Sequence, residues 1–215
     1  GHLLVDDYGG YKALFSKTAS PCTELGCWAH ARRKFFDLHQ ANASTIAFEA
    51  LQRIGKLYAV EAEGKHSSTE ARQILRAEKS LPILQSLHHW LLQTRFHTAD
   101  GGGTAKAIDY TLKRWQSLIR YASSGYLPID NNPVENTIRP IALGKKNWLF
   151  TGSERAGKRA AAIQTLLGTA KLNGLNPAQW LVNTLEKLPT WPNSRIDELL
   201  PLAPDAIEVL PKECG

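Results

Sequence analysis

Several features of secreted, membrane-spanning or disordered chains are scarce or missing in this sequence. Only three of its 215 residues are cysteines, an odd and low number that argues against a secreted disulfide scaffold and favours a reducing cytoplasm. No apolar run exceeds four residues, so we expect neither a membrane span nor a signal-peptide core. Methionine is absent altogether, and we therefore expect a fragment or a chain whose start was trimmed.

What the sequence does contain is an ordinary globular composition with an uneven charge. Hydrophobic residues make up 43% and charged residues 21%, which excludes wholesale disorder. The net charge is +6, and residues 139–171, here called the basic segment, hold seven Lys or Arg against one acid. Such a concentration is typical of a phosphate-facing surface, although a solvated basic face explains it equally well.

The first 28 residues predict a βαβ unit. Leu3-Leu4-Val5 is typical of a short buried strand, and a Gly-rich turn follows it. Residues 11–16 favour a short helix and residues 23–28 a second strand. This order implies a parallel strand pair in a covered sheet.

Asp6 closes the first predicted strand. In open α/β sheets functional groups gather at the carboxyl ends of strands, and a carboxylate there can hold a divalent metal ion. Alternatively, Asp6 or Asp7 merely caps the turn or helix that follows. The residues alone leave both interpretations open.

Residues 29–122 have helical periodicity. Ile46, Ala50, Ile54 and Leu57 recur at steps of four, four and three, and the Gly-containing stretches 64–68 and 100–103 interrupt the pattern. The segment therefore predicts an insertion of three to five helices. Two more helices are predicted further on, over residues 154–172 and 177–188, before a tail that we expect to be loosely attached.

The stretch from Asp130 to Asn136 admits a structural and a functional interpretation. Asn132, Pro133 and Glu135 match a capping box, with Asn132 as N-cap, Pro133 at the first helical position and Glu135 reaching back. That box explains Glu135 without any function. It does not explain the character of the residues that follow, so catalysis by Glu135 stays an alternative.

Cys22, Cys27 and His30 have the spacing C-x4-C-x2-H. Zinc normally takes four ligands, and His39 is the nearest fourth, so a structural zinc module is the weaker hypothesis and we predict no stoichiometric zinc. We instead expect Cys27 and Trp28 in the core of the second strand. His30 would then open a basic helix, solvated or facing DNA, whose cations are Arg32, Arg33 and Lys34.

Four motifs in this order resemble the C-terminal catalytic part of the DDE transposases of the insertion sequence sixty-six family. They are DDYGGY at 6–11, CWAHARRKF at 27–35, DNNPVENTIRP at 130–140 and GKKNWLF at 144–150. A further match is TAKLNGLNP at 169–177. The resemblance covers about residues 1 to 190.

The resemblance implies a ribonuclease H-like fold whose Asp-Asp-Glu triad binds two divalent ions, Mg²⁺ or Mn²⁺. Asp6 matches the second acid of the triad and Glu135 the third, both as catalytic metal ligands. The family pattern has Gly where this chain has Asp7, so Asp7 is only a fallback for Asp6. The first acid lies upstream of Gly1, and we expect the isolated chain to be inactive.

The predicted fold class is therefore α/β and helix-dominated. We expect a partial ribonuclease H-like core that carries a large all-helical insertion between the second and third acids. The predicted divisions are a βαβ core piece at 1–28, the helical insertion at 29–125, a part bearing the third acid, basic segment and C-terminal helices at 126–190, and a loose acidic, Pro-rich tail at 191–215.

The implied function is cleavage and strand transfer of DNA during transposition, in the cytoplasm or nucleoid of a bacterium. The expected partners are DNA, as element ends and target, and other transposase subunits, with no membrane. The alternative is a non-catalytic DNA-binding or assembly module. The residues predicted to contact DNA are Arg33, Lys34, Arg139, Lys145, Lys146, Arg155, Lys158 and Arg159. Trp148 and Phe150 either stack on bases or, as we favour, pack in the core.

Overall fold

The computed structural model describes residues 1–15, 22–145 and 151–202. The described chain is dominated by helices and contains one small parallel sheet, as the predicted α/β, helix-dominated class requires. Lys146, Trp148 and Phe150 lie outside the described residues. The chain divides into two compact units, unit 1 at 1–134 and unit 2 at 135–215, which are described separately.

Unit 1 contains the sheet and most of the helices, and α8 begins at its end. The elements in chain order are β1 His2–Val5, a 3-10 turn Gly9–Tyr11, α1 Lys12–Phe15, β2 Thr23–Gly26, α2 Trp28–Asn42, α3 Thr45–Glu63, α4 Thr69–Leu75, a π turn Arg76–Ser80, α5 Leu81–Phe96, α6 Gly103–Lys113, α7 Trp115–Ile119, a 3-10 turn Arg120–Ser123 and α8 Asn132–Gly144.

The two strands pair in parallel, as the βαβ prediction requires. Val5 lies opposite Gly26, the last residue of β2. The prediction that β2 continues to Trp28 is wrong, because Trp28 is already the first residue of α2. Its backbone N–H donates to the carbonyl of Ile129, and its indole N–H donates to the carbonyl of Leu118, 2.9 Å away. These bonds turn Trp28 away from the sheet and into the helical core.

The helices of unit 1 enclose one continuous hydrophobic core. In α3 the side chains of Ala47, Ile54 and Leu57 are fully buried, and the predicted helical periodicity aligns them on one face. Ser44 starts this helix by accepting a hydrogen bond from the Ala47 N–H. The larger core side chains from the other elements are Leu25, Trp28, Phe35, Leu84, Leu87, Leu91, Ile108, Trp115, Leu118 and Tyr121.

A π turn joins α4 to α5 without breaking the helical rod. The Leu81 N–H donates to the carbonyl of Arg76, five residues back. Pro82 stands in the first turn of α5 and has no N–H to donate, and its ring would clash with the carbonyl four residues earlier in a regular helix. The wider turn ends just before this proline, and its first residue, Arg76, is buried.

Two arginines hold the loop that leads towards α8. The buried Arg76 guanidinium pairs with Glu61 and donates to the carbonyls of Tyr121 and Leu127, at 2.9 and 2.8 Å. Arg72 donates to the carbonyl of Gly125 at 3.2 Å. A Cβ at Gly125 would lie 1.8 Å from the Thr69 carbonyl oxygen, so only glycine fits there. We call this arrangement the arginine clamp.

Unit 2 contains the rest of α8 and two capped helices. They are α9 Glu154–Leu172 and α10 Pro177–Lys187. Asn176 accepts hydrogen bonds from the first turn of α10, and Pro177 occupies the first helical position as predicted. Pro140 lies inside α8 and leaves the Asn136 carbonyl without its helical donor.

Burial in unit 2 is slight in the part that the structure describes. The predicted apolar face of α9 is covered only towards its end, where Ala170 is buried, whereas Ile163 is 51% exposed. In the described part of the predicted tail, Leu199 is buried and its carbonyl accepts a hydrogen bond from the Trp180 indole, while most of the neighbouring residues are exposed. This packing lies in a 3-10 stretch, Asn193–Leu199.

Candidate functional site

Asp6 is the first residue beyond β1 and its carboxylate faces outward. Its side chain is 44% exposed, and one oxygen accepts a hydrogen bond from the Tyr8 N–H at 3.1 Å. The hydroxyl of Tyr110 donates to the Asp6 backbone carbonyl. The backbone is therefore held while the carboxylate keeps much of its surface open to a ligand.

The parallel pairing of the strands places a histidine beside this carboxylate. The carboxyl ends of β1 and β2 lie at the same edge of the sheet, and α2 starts directly after β2. His30, in the first turn of α2, thus comes to lie with Nε2 4.0 Å from the Asp6 Oδ2. The structure brings Asp6 and His30 together, whereas the sequence predicted only that His30 opens a basic helix.

Asp7 differs from Asp6 in both backbone and partner. Its φ of +79° lies in the left-handed region that glycine adopts most readily, which explains physically why the resembled family pattern has Gly here. Its carboxylate accepts a charge-assisted hydrogen bond from the buried Arg114, 2.6 Å away. Arg114 also pairs with Glu24 and reaches the Val5 carbonyl. Asp7 thus serves the structure of the sheet edge.

A second acid, Asp130, lies buried where the chain enters α8. Its carboxylate accepts hydrogen bonds from the Tyr58 hydroxyl at 2.8 Å and from the backbone and side-chain N–H groups of Asn132. Burial and the neighbouring Asp130 charge raise the pKa of Tyr58, so the phenol stays a donor. Sequence reasoning missed this network, because Tyr58 and Asp130 are 72 residues apart.

Glu135 lies half-buried in the first turn of α8, where its negative charge suits the positive end of the helix. The predicted capping box differs from the observed start of the helix. Asn132 is itself the first helical residue, and its N–H groups donate to Asp130. The Asp130 carboxylate thus holds the chain at the start of the helix through Asn132.

Cys27 performs a structural task beside this network. Its thiol donates to the Asn131 side-chain oxygen, and burial raises the pKa of Cys27, so the thiol stays protonated at neutral pH. Within residues 1–15, 22–145 and 151–202, no three His, Cys, Asp or Glu side chains form a group suited to a metal ion. Cys22, Cys27 and His30 are all described and do not form such a group.

The described DNA-contact candidates of unit 2 are all exposed. They are Arg139, Lys145, Arg155, Lys158 and Arg159. Three of them lie in the first two turns of α9, where, among the residues that the structure describes, Lys158 pairs with Glu154 at 2.8 Å. Cations at the positive end of a helix are unfavourable, and a bound phosphate would relieve this repulsion.

The two candidates of unit 1 lie side by side on α2. Arg33 and Lys34 are both exposed. Lys34 Nζ is 5.4 Å from the centre of the Tyr110 ring, and Arg33 lines a groove between α2 and α3. Arg32, which sequence reasoning left out of the DNA-contact set, lines the same groove.

Two known family profiles match the chain. The sequence profile of the Transposase IS66 family matches residues 1–159, and that of the IS66 C-terminal element matches residues 165–202. The chain belongs to the IS66 transposase family, which confirms the resemblance seen in its motifs. No solved structure matches the chain significantly.

Similar curated proteins come from Sinorhizobium fredii and are described as uncharacterized. Protein y4hP is 37% identical, with 94% of this chain and 39% of y4hP covered. Protein y4qI is 40% identical, with 96% of this chain and 40% of y4qI covered. This chain thus spans about two fifths of the length of these relatives. No helix among the described residues is long and apolar enough to cross a membrane.

Proposed function

We propose that this chain carries part of the catalytic site of a DNA transposase, with Asp6 and Glu135 as two of its acids. The observation that carries the proposal is the difference between Asp6 and Asp7. The Asp7 carboxylate forms an ion pair with the buried Arg114, whereas the Asp6 carboxylate stays accessible at the carboxyl end of a strand. The fold in this proposal is a ribonuclease H-like core with a helical insertion.

The proposed cofactor is Mg²⁺ or Mn²⁺. The donor chemistry of Asp6 and Glu135 fits such an ion, since magnesium binds through one or two carboxylates together with substrate phosphate. Bound there, the ion would stabilise charge on the attacking and leaving oxygens of the phosphodiester. In this proposal the half-exposed Asp6 meets the ion, His30 borders Asp6, and Arg114 holds the strand end in place.

DNA contact is proposed for the exposed cations. Arg33 and Lys34 on α2, and Arg139, Lys145, Arg155, Lys158 and Arg159 in unit 2, would hold phosphates without reading base sequence. Lys146, outside the described residues, is proposed for the same role. DNA ends and target DNA are then the substrates, and other transposase subunits the further partners.

The experiment is strand transfer of labelled element ends by a full-length family transposase that carries this chain. Asp6→Asn and Glu135→Gln should each lower the rate by several orders of magnitude, because a neutral oxygen replaces a charged ligand. Asp7→Asn is the matched control, since it makes the same chemical change one residue away. We expect Asp7→Asn to keep most of the activity once its folding is checked by circular dichroism.

Two outcomes contradict the assignment. Wild-type rates in Asp6→Asn and Glu135→Gln would leave the chain a non-catalytic DNA-binding or assembly module. Loss of activity in a folded Asp7→Asn variant, with Asp6→Asn active, would move the ligand to Asp7.

A further inference from the structure

A groove follows the junction of α2 and α3 on the surface of unit 1. It consists of two adjoining hollows of about 520 Å³ each, which share Arg32, Phe36 and Gly55 as lining residues. We call it the α2–α3 groove. The residues that matter for its chemistry are Arg32, Arg33, Phe36, Phe48, Gly55 and Lys56.

The charge of the groove has one sign. Arg32, Arg33 and Lys56 are exposed, and none of the residues that line the two hollows is Asp or Glu. A groove lined by cations alone attracts a polyanion, and its low-dielectric walls strengthen that field. The complementary ligand is a phosphate backbone.

Aromatic rings stand between these cations. Phe36 is 42% exposed and Phe48 50% exposed, although both lie on helices with a well-filled core on their other faces. The Arg32 guanidinium lies 6.0 Å from the centre of the Phe36 ring. Exposed rings next to cations suit unpaired nucleotides, whose bases stack on the rings while the cations hold the phosphates. The bases of an intact duplex are already stacked on each other.

Gly55 provides an independent observation. It lies in the middle of α3, where glycine is unfavourable relative to alanine, and it lines both hollows. Among the described residues, and apart from the backbone of α3 itself and the two neighbours of Gly55, no atom lies within 4 Å of the position that a Cβ would take. Packing inside the protein therefore does not require glycine here. A ligand that approaches the helix backbone closely would account for a glycine at this position.

We propose that the α2–α3 groove binds an unpaired DNA strand. Its bases stack on Phe36 and Phe48, and its phosphates contact Arg32, Arg33 and Lys56, with Gly55 leaving the floor of the groove open. The inference rests on the proposed function in taking DNA as the substrate. It adds the state of that DNA, single-stranded, and the surface of unit 1 that would hold it.

The test measures binding of a fluorescent oligo-dT strand, and of a duplex as comparison, to the full chain by anisotropy. Phe36→Leu and Phe48→Leu keep apolar bulk but remove the ring, and each should weaken single-strand binding about tenfold. Phe96→Leu is the matched control, because Phe96 is 85% exposed at the end of α5 and outside the groove. This control should bind like wild type.

Gly55→Leu separates binding from folding. Leucine favours the helix more than glycine does, so the melting temperature should rise, while its side chain fills the groove and single-strand binding falls. Unchanged oligo-dT affinity in Gly55→Leu and in both phenylalanine variants would overturn the proposal. Loss of self-association in Gly55→Leu, without any effect on oligo-dT, would assign the groove to a second copy of the chain.

The measurements with duplex DNA distinguish the single-strand groove from general DNA binding. Groove variants that lose single-strand binding but retain duplex binding support the inference. Equal losses for both DNA forms would make the groove a general phosphate surface and overturn it. The strand-transfer experiment on Asp6 and Glu135 uses other variants and another readout. The groove proposal and the proposed function can therefore fail separately.

Discussion

The two units of this chain are stabilised in different ways. Unit 1 buries large side chains such as Trp28 and Phe35 completely, whereas the buried apolar residues in the described part of unit 2 are Ala170, Leu199 and Pro201. Helices of ordinary length gain most of their stability from such burial. Unit 2 instead depends on local signals, including the caps at Ser153 and Asn176. Long-range packing therefore determines the fold of unit 1, and local sequence determines the helices of unit 2.

The largest expected effect is on the unfolding free energy. Truncating one apolar side chain in each unit tests the comparison between the units. Phe35→Ala in unit 1 should cost about 3–5 kcal/mol of unfolding free energy, because it leaves a cavity in a filled core. Ile163→Ala in unit 2 should change it by less than about 0.5 kcal/mol, since that side chain is half exposed. Urea denaturation followed by circular dichroism measures both.

Phe35→Leu is a milder control for this pair, with an expected cost below about 1.5 kcal/mol. A destabilisation at Ile163 as large as that at Phe35 would show that the exposed face of α9 is packed in solution. The contrast between the units would then fail.

An intermediate effect is expected on the salt dependence of duplex binding, when cations of unit 1 or of unit 2 are replaced. Replacing Arg139, Arg155 and Arg159 by Gln should reduce the dependence of duplex affinity on salt by about 0.9 in log–log slope per lost phosphate contact. Replacing Arg33 and Lys34 should reduce it less, because fewer cations are removed. Titration of a labelled duplex at several salt concentrations gives the slopes.

Lys187→Gln removes an exposed cation of α10 outside the basic segment and should leave the slope unchanged. If the unit 2 variant keeps the wild-type slope, the basic segment is a solvated face and the proposed DNA contacts there are incorrect.

The smallest effect concerns the buried thiol of unit 1. Burial raises the pKa of Cys27, so the thiol stabilises the fold below its unfolded pKa of about 8.5 and loses that contribution as pH rises through the raised value. Cys27→Ser keeps a hydroxyl donor for Asn131 but does not titrate. Between pH 7 and pH 10, wild type should therefore lose more stability than the variant, by at most about 2 kcal/mol, the value reached if the folded thiol stays protonated throughout.

Thermal melts of both proteins at the two pH values provide the measurement. Comparing the proteins at each pH cancels the shared titration of tyrosines and lysines. Parallel pH profiles would exclude Cys27 as a source of the pH dependence.

The sequence predicted what depends on neighbouring residues. The parallel strands, the helical face of α3 and the start of α10 follow from local periodicity and capping residues, and the family motifs indicated Asp6 and Glu135. It did not predict the pairing of Arg114 with Asp7 or of Tyr58 with Asp130, which join distant segments. The sequence did not predict the left-handed backbone at Asp7 either, because an aspartate can adopt that conformation but does not require it.

The π turn at Arg76–Ser80 also determines which changes of chain length the protein can accept. It contains one residue more per turn than a regular helix needs, and that residue sets the rotation between the arginine clamp and the buried face of α5. Deleting a single residue there would restore a regular helix and rotate one side against the other by about 100°. Either Arg76 would leave its carbonyl partners or Leu84 and Leu91 would leave the core. This stretch therefore tolerates exchange of its exposed side chains far better than any change in their number.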